Sequence, residues 1–182
     1  MVTLIKKYKD EVTPKLKQEF NLKNDLSLPQ LEKIVLNASA VDALSDKGVI
    51  EKVKSQLAQI SGQMPKVTRA KKSISTFKLK QNDTIGVMTT LRGRRSWNFL
   101  EQFIAIVAPR MRDFRGMAND KFDNKGNYSF GVAEQILFPQ IDYSKIDKTR
   151  GLVVTLVIKK SDPQKSKRML ELLGLPFKKE NT

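Results

Sequence analysis

The chain has no cysteine and no histidine among its 182 residues. Without cysteine there can be no disulfide framework and no cysteine-ligated metal centre. Without histidine the chain lacks the commonest general base and the commonest metal ligand. No apolar run approaches the roughly 20 residues of a membrane-spanning helix, and the first residues have no signal-peptide hydrophobic core. These absences favour a cytoplasmic binding protein, with no membrane contact and no cofactor, over an enzyme.

Acidic residues are scarce relative to basic ones. The 34 Lys and Arg residues exceed the 19 Asp and Glu residues, so the net charge is +15 and the isoelectric point is near 10.0. A surplus of this size indicates a polyanionic partner, and nucleic acid is the usual one. A chain that is 40% hydrophobic and 29% charged should be globular. Its length predicts a single domain over residues 1–182.

The positive charge is concentrated in residues 62–95, where nine basic side chains stand against one acidic one, Asp83. Two strand-like runs, 64–70 and 85–92, flank a Lys- and Ser-rich middle with Phe77 at its centre. This pattern predicts a β-ribbon that carries a long basic loop. A solvated charge run that only confers solubility is the alternative. The basic residues interleave with β-branched and aromatic ones, which favours RNA binding.

A helix is expected to open the chain, because an apolar residue recurs at every fourth position. Pro14 either kinks this helix or starts a second one. Residues 27–37 are then predicted to form a strand, because residues 31–37 roughly alternate, with Ile34 and Leu36 on the buried side. A loop is expected from Asn37 onward. The residues on the apolar face of the helix are Leu4, Tyr8, Val12 and Leu16.

Three further helices are predicted. Ser45 or Asp46 caps the first of them. The second begins near residue 94 and is ended by Pro109. The third has Asp162 as its N-cap, Pro163 at its first position and Gly174 after its last turn.

An apolar run at 152–158 predicts an internal strand, and residues 110–127 and 138–149 are predicted to be exposed loops. Helices mixed with an antiparallel ribbon predict an α+β fold. We expect a mostly antiparallel sheet with helices packed on one face. The other face would then be open for RNA.

Three polar side chains are suited to the 2′-hydroxyls and base edges of RNA: Asn37, Gln63 and Thr90. On neighbouring strands they would line the uncovered face of the sheet. The alternative is that Asn37 and Gln63 only satisfy backbone groups at a turn or a helix end. The cations expected beside them, for phosphate contacts, are Lys33, Arg69 and Arg92.

Motifs for catalysis or metal binding are weak. The segment 123–126 is similar to part of a calcium loop, but the spacing places Lys121 at the first ligand position, so the pattern fails. Asp120 and Asp123 could hold Mg²⁺, although a turn is the better interpretation. Two rival functions remain at this point, a free RNA chaperone or translational regulator and a nucleic-acid enzyme that uses Mg²⁺.

Four segments, in this order and spacing, resemble the bacterial large-ribosomal-subunit protein five family over nearly the whole chain. They are QMPKVTRAKKSISTFKLKQNDTIG, PRMRDFRG, FDNKGNYSFGVAEQILFPQIDY and LLGLPF. The resemblance implies an antiparallel sheet with helices behind it and 5S rRNA on the open face. It also implies a place in the central protuberance, beside 23S rRNA and neighbouring proteins. Residues 38–41 depart from the family, which usually has two glycines there.

The resemblance also implies three sets of contact residues. The 5S rRNA positions would be Lys33, Asn37, Gln63, Thr90 and Arg92, which Arg69 joins from the charge pattern. The loop that contacts P-site tRNA would carry Lys71, Lys72, Ser73, Ile74, Phe77, Lys78 and Lys80. The bridge to small-subunit ribosomal protein thirteen would use Arg110, Arg112, Arg115, Asp142 and Tyr143.

The basic loop extends beyond the strands expected to hold 5S rRNA. A loop of that length is costly to order, which favours a function of its own. Ile74 and Phe77 would form an apolar tip among lysines, suited to the sugars and stacked bases of tRNA. In the alternative, both side chains tuck back under the ribbon and the lysines only add to the affinity for 5S rRNA.

Overall fold

The computed structural model describes residues 3–44, 46, 48–112 and 114–178, which form four helices and five strands. The strands are β1 Gln30–Ser39, β2 Lys66–Arg69, β3 Thr84–Arg92, β4 Tyr128–Val132 and β5 Leu152–Lys159. Helix α2 is Gly48–Ser61 and helix α4 is Pro163–Leu173. Helix α1 joins α-helical Leu4–Lys7, a π-helical turn Tyr8–Val12 and α-helical Thr13–Glu19. Helix α3 joins Arg94–Gln102, a π-helical turn Phe103–Val107 and Ala108–Arg110.

The strands form one antiparallel sheet in the order β2-β3-β1-β5-β4. β2 and β3 are antiparallel neighbours, which confirms the ribbon, and β5 is internal as expected. Side chains alternate along each long strand: Leu36 and Leu91 are buried, for example, whereas Asn37 and Arg92 are exposed. The α+β class is therefore confirmed. Among the described residues, no helix is long and apolar enough to cross a lipid bilayer.

The chain separates into two compact units. The first unit contains the segments up to Ile34, from Arg92 to Phe130 and from Thr155 onward. The second unit contains Val35–Leu91 and Gly131–Val154. A single domain over the whole length remains a prediction.

In the first unit, α1 packs through buried Leu4, Val12 and Leu16, as the four-residue spacing predicts. The ring of Tyr8 lies 5.1 Å from that of Trp97, centroid to centroid, and its hydroxyl donates to the carbonyl of Pro29 at 2.7 Å. In the second unit, one stripe of α2 is buried beside Ala38 and Leu152. That stripe consists of Val49, Val53, Leu57 and Ile60.

Both long helices continue through a proline. The prediction that Pro109 ends its helix is wrong, because α3 runs to Arg110. At Pro14 the α-helical segment Thr13–Glu19 follows the π-helical turn without a break in the helical backbone, so no separate helix starts there. Each proline lies two residues after a π-helical turn. Because such a turn shifts the hydrogen-bond ladder by one residue, the missing N–H of the proline is no longer required.

β1 starts and ends later than predicted, at Gln30 and Ser39. Of residues 38–41, where the resembling family has two glycines, Ala38 and Ser39 therefore continue the strand, with Ala38 buried, and a 3-10 turn starts at Val41. The hydrogen bonding to β3 extends one residue past the end of β1, since the N–H of Ala40 donates to the carbonyl of Ile85 at 2.9 Å. The loop expected over 37–44 therefore begins after Ser39, because the strand continues for two residues beyond Asn37.

The predicted helix ends are mostly confirmed. The Asp162 carboxylate accepts a 2.9 Å hydrogen bond from the N–H of Lys165, and Gly174 ends α4 with φ of 104°. Of the two candidate caps for α2, Ser45 lies outside the described residues. Asp46 accepts from the N–H of Gly48 at 2.8 Å.

Candidate RNA-binding site

Asn37 and Thr90 lie at outward positions of β1 and β3 in the second unit. Asn37 is exposed between buried Leu36 and Ala38, and Thr90 is half-buried between buried Thr89 and Leu91. Neither of the two polar side chains has a hydrogen-bond partner among the described residues. The strand phase deduced from the sequence is confirmed. Both residues present polar groups that an RNA could pair with.

Gln63 lies beside Thr90, as predicted, but its side chain is used within the protein. Its Nε2 donates to the carbonyl of Thr90 at 3.2 Å, and its backbone carbonyl accepts from the hydroxyl of Ser61 at 2.9 Å. The Nε2 of Gln63 therefore satisfies a backbone group, which is the alternative role considered for this residue. The side chain ties the segment after α2 to β3.

The three predicted strand cations fall into two groups. Lys33 and Arg92 occupy outward positions in the parts of β1 and β3 that belong to the first unit. Arg69 follows a register shift in the pairing of β2 with β3. It lines a cleft of about 620 Å³ with Lys78 and Lys80 in the second unit. The structure thus groups Arg69 with the cations of the loop.

The basic loop, residues 71–80, is a hairpin with its own hydrogen bonds. Ala70 closes its base, donating to the carbonyl of Asp83 at 2.8 Å and accepting from the N–H of Asn82 at 2.9 Å. Ile74 and Leu79 form an antiparallel bridge nearer the tip. The N–H of Gln81 adds a bond to the hydroxyl of Ser73 at 2.9 Å. The backbone of the loop is therefore held without help from other elements.

The side chains of the basic loop point to solvent. Phe77 is 70% exposed and Ile74 is 43% exposed. The alternative in which both tuck back under the ribbon is therefore wrong. No described residue forms an ion pair with the four lysines of the loop. Those lysines are Lys71, Lys72, Lys78 and Lys80, and all are exposed.

The arginine loop, residues 110–127, is hydrogen-bonded to the segment that follows α4. The N–H of Met117 donates to the carbonyl of Pro176 at 2.7 Å, and the carbonyl of Met117 accepts from the N–H of Lys178 at 2.9 Å. The hydroxyl of Tyr128 donates to the carbonyl of Ala118 at 2.8 Å. These bonds anchor the middle of the loop, at Met117 and Ala118. Its predicted bridge residues, Arg110, Arg112 and Arg115, are all exposed.

Asp123 belongs to a turn, which was the favoured interpretation. Its Oδ1 accepts from the N–H groups of Lys125 at 2.9 Å and Asn127 at 2.7 Å. Its Oδ2 accepts from the side chain of Asn127 at 2.8 Å, and these bonds lower the pKa of the carboxyl group. Within the described residues, no three acidic side chains are grouped in a way that could hold a metal ion.

Asp142 and Tyr143, the other predicted bridge residues, differ in their surroundings. The Asp142 carboxylate accepts from the backbone N–H of Ser144 at 3.1 Å and from its hydroxyl at 2.8 Å. It therefore caps the short turn Tyr143–Lys145. The Tyr143 side chain is 77% exposed, so it is the accessible member of the pair.

A groove of about 680 Å³ adjoins Asn37 in the second unit, and the sequence analysis missed it. Asp42 and Lys148 lie at the groove, joined by a 2.9 Å ion pair. Gly131 also lines it, at an outward position of β4. A glycine inside an alternating strand pattern was the available signal, because it often marks a place where a ligand approaches the backbone.

The chain matches known proteins over almost its whole length. Residues 24–80 match the family model described as ribosomal protein L5, and residues 84–177 match the model that describes the C-terminus of the same ribosomal family. The chain is also similar to proteins named large ribosomal subunit protein uL5. Identity is 47% to that of Roseiflexus castenholzii, over 96% of this chain and 97% of the relative. It is 46% to that of Thermus aquaticus, over 98% of each.

Proposed function

Because the chain belongs to the ribosomal protein L5 family, we propose that it binds 5S rRNA and attaches it to the central protuberance of the large ribosomal subunit. Members of this family are structural proteins of the ribosome, so the chain is not an enzyme, and it works in the cytoplasm as part of the large subunit. Family membership therefore argues against the rival interpretation as a nucleic-acid enzyme that uses Mg²⁺.

The observation that carries the proposal is the outward, unpaired state of Asn37 and Thr90 on strands that also bear cations. An amide and a hydroxyl can each donate to and accept from ribose hydroxyls and base edges. Lys33 and Arg92, at outward positions of the same strands, supply charge for phosphates. Cations of this kind hold the RNA backbone by charge, and the polar side chains fix its register by hydrogen bonds.

Substitution of the two outward polar residues tests the proposal. Asn37→Ala or Thr90→Val leaves an RNA group unpaired in a closed interface, so each should weaken 5S rRNA binding by about 1–3 kcal/mol. Both positions are outside the core, so thermal stability should hardly change. Binding is measured by titration of labelled 5S rRNA, and a thermal melt is recorded beside it.

Asn98→Ala is the matched control, because Asn98 occupies an exposed position of α3 and the substitution removes the same amide away from the strands. It should leave both readouts unchanged. Gln63→Ala should lower stability as well as affinity, since its amide already bonds to Thr90. Loss of stability with unchanged affinity for Asn37→Ala would contradict the proposal. Capture of mRNA or tRNA from lysate, without 5S rRNA, would contradict it more broadly and favour the free RNA chaperone.

The basic loop is proposed to contact P-site tRNA. Its support is an exposed aromatic tip among unpaired lysines, since aromatic faces stack on bases and sugars while lysines neutralise phosphates. The loop's backbone order needs no other element, so its side chains remain available to a partner.

We also propose that the exposed arginines of the arginine loop, together with Asp142 and Tyr143, contact small-subunit ribosomal protein thirteen and form a bridge to the small subunit. Arg110, Arg112 and Arg115 are exposed on a fastened loop, and Tyr143 is exposed beside capping Asp142. Arginine and aromatic side chains are enriched at protein interfaces. Contacts with 23S rRNA and central-protuberance proteins are expected elsewhere on the basic surface.

A further inference from the structure

The groove beside Asn37 crosses three neighbouring strands of the sheet in the second unit. Asn37 and Ser39 line it from β1, Val153 from β5 and Gly131 from β4. All four residues are exposed and occupy outward positions. The groove is thus continuous with the surface proposed to hold 5S rRNA, and it shares Asn37 with that surface.

The floor of the groove is flat and largely apolar. Gly131 has no side chain, and a Cβ built there would meet no atom within 4 Å. Packing within the protein therefore does not require a glycine at this position, and the space above the Gly131 backbone is open. Val153, which is 50% exposed, supplies an apolar surface on the adjacent strand. A planar ring could lie across this floor, close to the backbone.

The rim of the groove is polar, and hydrogen bonds with Asp147 and Gln135 hold its residues in place. Arg150 lines the groove with only 9% of its side chain exposed, and its guanidinium bonds to both oxygens of Asp147, at 2.8 and 3.2 Å. These bonds lower the pKa of Asp147 to about 2, so the pair stays charged near neutrality. Buried Gln135 donates to the carbonyl of Lys148 at 2.7 Å and accepts from the N–H of Arg150.

The rim carries charge of both signs. The Asp42 carboxylate lies 2.9 Å from the Lys148 amine and 3.8 Å from the Arg150 guanidinium, and the Lys148 side chain is 62% exposed. A carboxylate accepts hydrogen bonds from base amino and imino groups, whereas a lysine pairs with phosphate. The guanidinium Nε of Arg150 is also buried with no partner among the described residues.

We propose that the groove takes one unstacked nucleotide of the RNA bound to the adjoining strand surface. Its base lies on Gly131 and Val153, its polar edge faces Asn37, Ser39 and Asp42, and its phosphate pairs with Lys148. The volume is within the range of about 300–1,000 Å³ that is usual for small-ligand sites. RNA-binding proteins read unstacked bases by this combination of a flat contact and hydrogen bonds to the edge. This inference rests on the proposed binding of 5S rRNA.

Filling the groove tests the inference. Gly131→Val adds a side chain into open space on a strand that favours β-branched residues, so the protein should fold. It should weaken 5S rRNA binding about tenfold or more, because the displaced base loses both its stacking surface and its hydrogen bonds. Gly131→Ala, a smaller obstruction, should weaken it less and provides a second variant if the first fails to fold.

A scan of abasic nucleotides through the unpaired regions of 5S rRNA identifies the base. One abasic position should weaken binding to the wild-type protein and should make little difference to Gly131→Val, because the groove is already blocked. Ser129→Thr is the control, as it adds a methyl group at an outward position of the same strand outside the groove and keeps the hydroxyl that bonds to Thr155 at 3.0 Å. It should retain the dependence on the abasic position.

The outcomes separate this inference from the proposal beneath it. If the wild-type protein does not bind 5S rRNA, both fail. If it binds and folded Gly131→Val binds equally well at the same salt concentration, only the groove inference is overturned. The same holds if no single abasic position weakens wild-type binding.

Discussion

The basic loop and the arginine loop both carry exposed cations, but their anchoring differs. The basic loop is closed by Ala70 at its base and by the bridge between Ile74 and Leu79. The arginine loop is bonded through Met117 to the end of the chain and packs aromatic rings with it: Phe177 lies 5.9 Å from Phe122 and 5.5 Å from Tyr128, centroid to centroid.

The difference indicates two ways to present positive charge. In the basic loop the apolar side chains are exposed and remain available for contact with a partner. In the arginine loop Met117 is buried and Phe122 packs against Tyr128 and Phe177, so the exposed side chains of the loop are charged or polar, the arginines among them. Changes in the arginine loop should therefore affect stability, whereas changes in the basic loop should affect binding alone.

Gly116→Ala should have the largest effect. Gly116 has φ of 101°, and an added Cβ would lie 2.7 Å from the backbone N of Lys178 and from the carbonyl carbon of Phe177. Backbone strain and this clash should destabilise the protein by about 2–4 kcal/mol, measured by denaturant unfolding. Gly131→Ala is the control, since its Cβ meets open space, and it should change stability little. Equal effects of the two substitutions would contradict the anchoring of the arginine loop.

The same aromatic substitution should separate the two loops. Phe177→Ala removes contacts with Phe122 and Tyr128, so it should cost about 1–3 kcal/mol of stability. Phe77→Ala removes a ring that is 70% exposed, so the free energy of unfolding should change by less than about 0.5 kcal/mol. A large loss for Phe77→Ala would mean that the ring packs within the protein.

Much of the fold could be predicted because local rules agree with the packing. Residues 162–174 combine an Asp cap, a following proline and a terminal glycine, and the structure reproduces that helix. Pro109 could not be placed correctly, because a π-helical turn removes the cost that was expected to end the helix. The end of β1 was also misjudged, since pairing with β3 extends the strand beyond Asn37.

The candidate site was predictable only where strand alternation decides orientation. Asn37, Thr90 and Arg92 point outward as the period of two requires. The bond from Gln63 to Thr90 and the register shift before Arg69 join residues far apart in sequence or depend on pairing details. The groove was missed for the same reason, because its residues come from several separate segments.

Removal of the basic loop should affect tRNA more than 5S rRNA. If residues 71–80 are replaced by a short Gly-Ser turn, the bonds of Ala70 to Asn82 and Asp83 can still close the ribbon. The variant should fold, bind isolated 5S rRNA nearly as well at moderate salt and enter the large subunit. Ribosomes that carry it should release P-site tRNA about tenfold faster, equivalent to about 1.4 kcal/mol.

Off-rates should be measured on ribosomes shown to contain the variant. Phe77→Ala and Lys72→Gln, which keep the loop length, should show smaller increases in the same direction. A normal off-rate after complete replacement of the loop would end the proposed role in tRNA binding.

The smallest expected effect is on the salt dependence of 5S rRNA binding. If Lys33 and Arg92 each neutralise a phosphate, changing either to Gln should reduce the slope of log K against log salt by about 0.7–0.9. Lys72→Gln and Lys78→Gln should leave the slope unchanged, because the basic loop is proposed to serve tRNA. Arg69→Gln then decides between two assignments, the phosphate contact deduced from the sequence and the cleft that Arg69 shares with Lys78. Unchanged slopes for both Lys33→Gln and Arg92→Gln would mean that these two cations do not contact 5S rRNA. Reduced slopes for Lys72→Gln and Lys78→Gln would mean that the basic loop also contacts 5S rRNA.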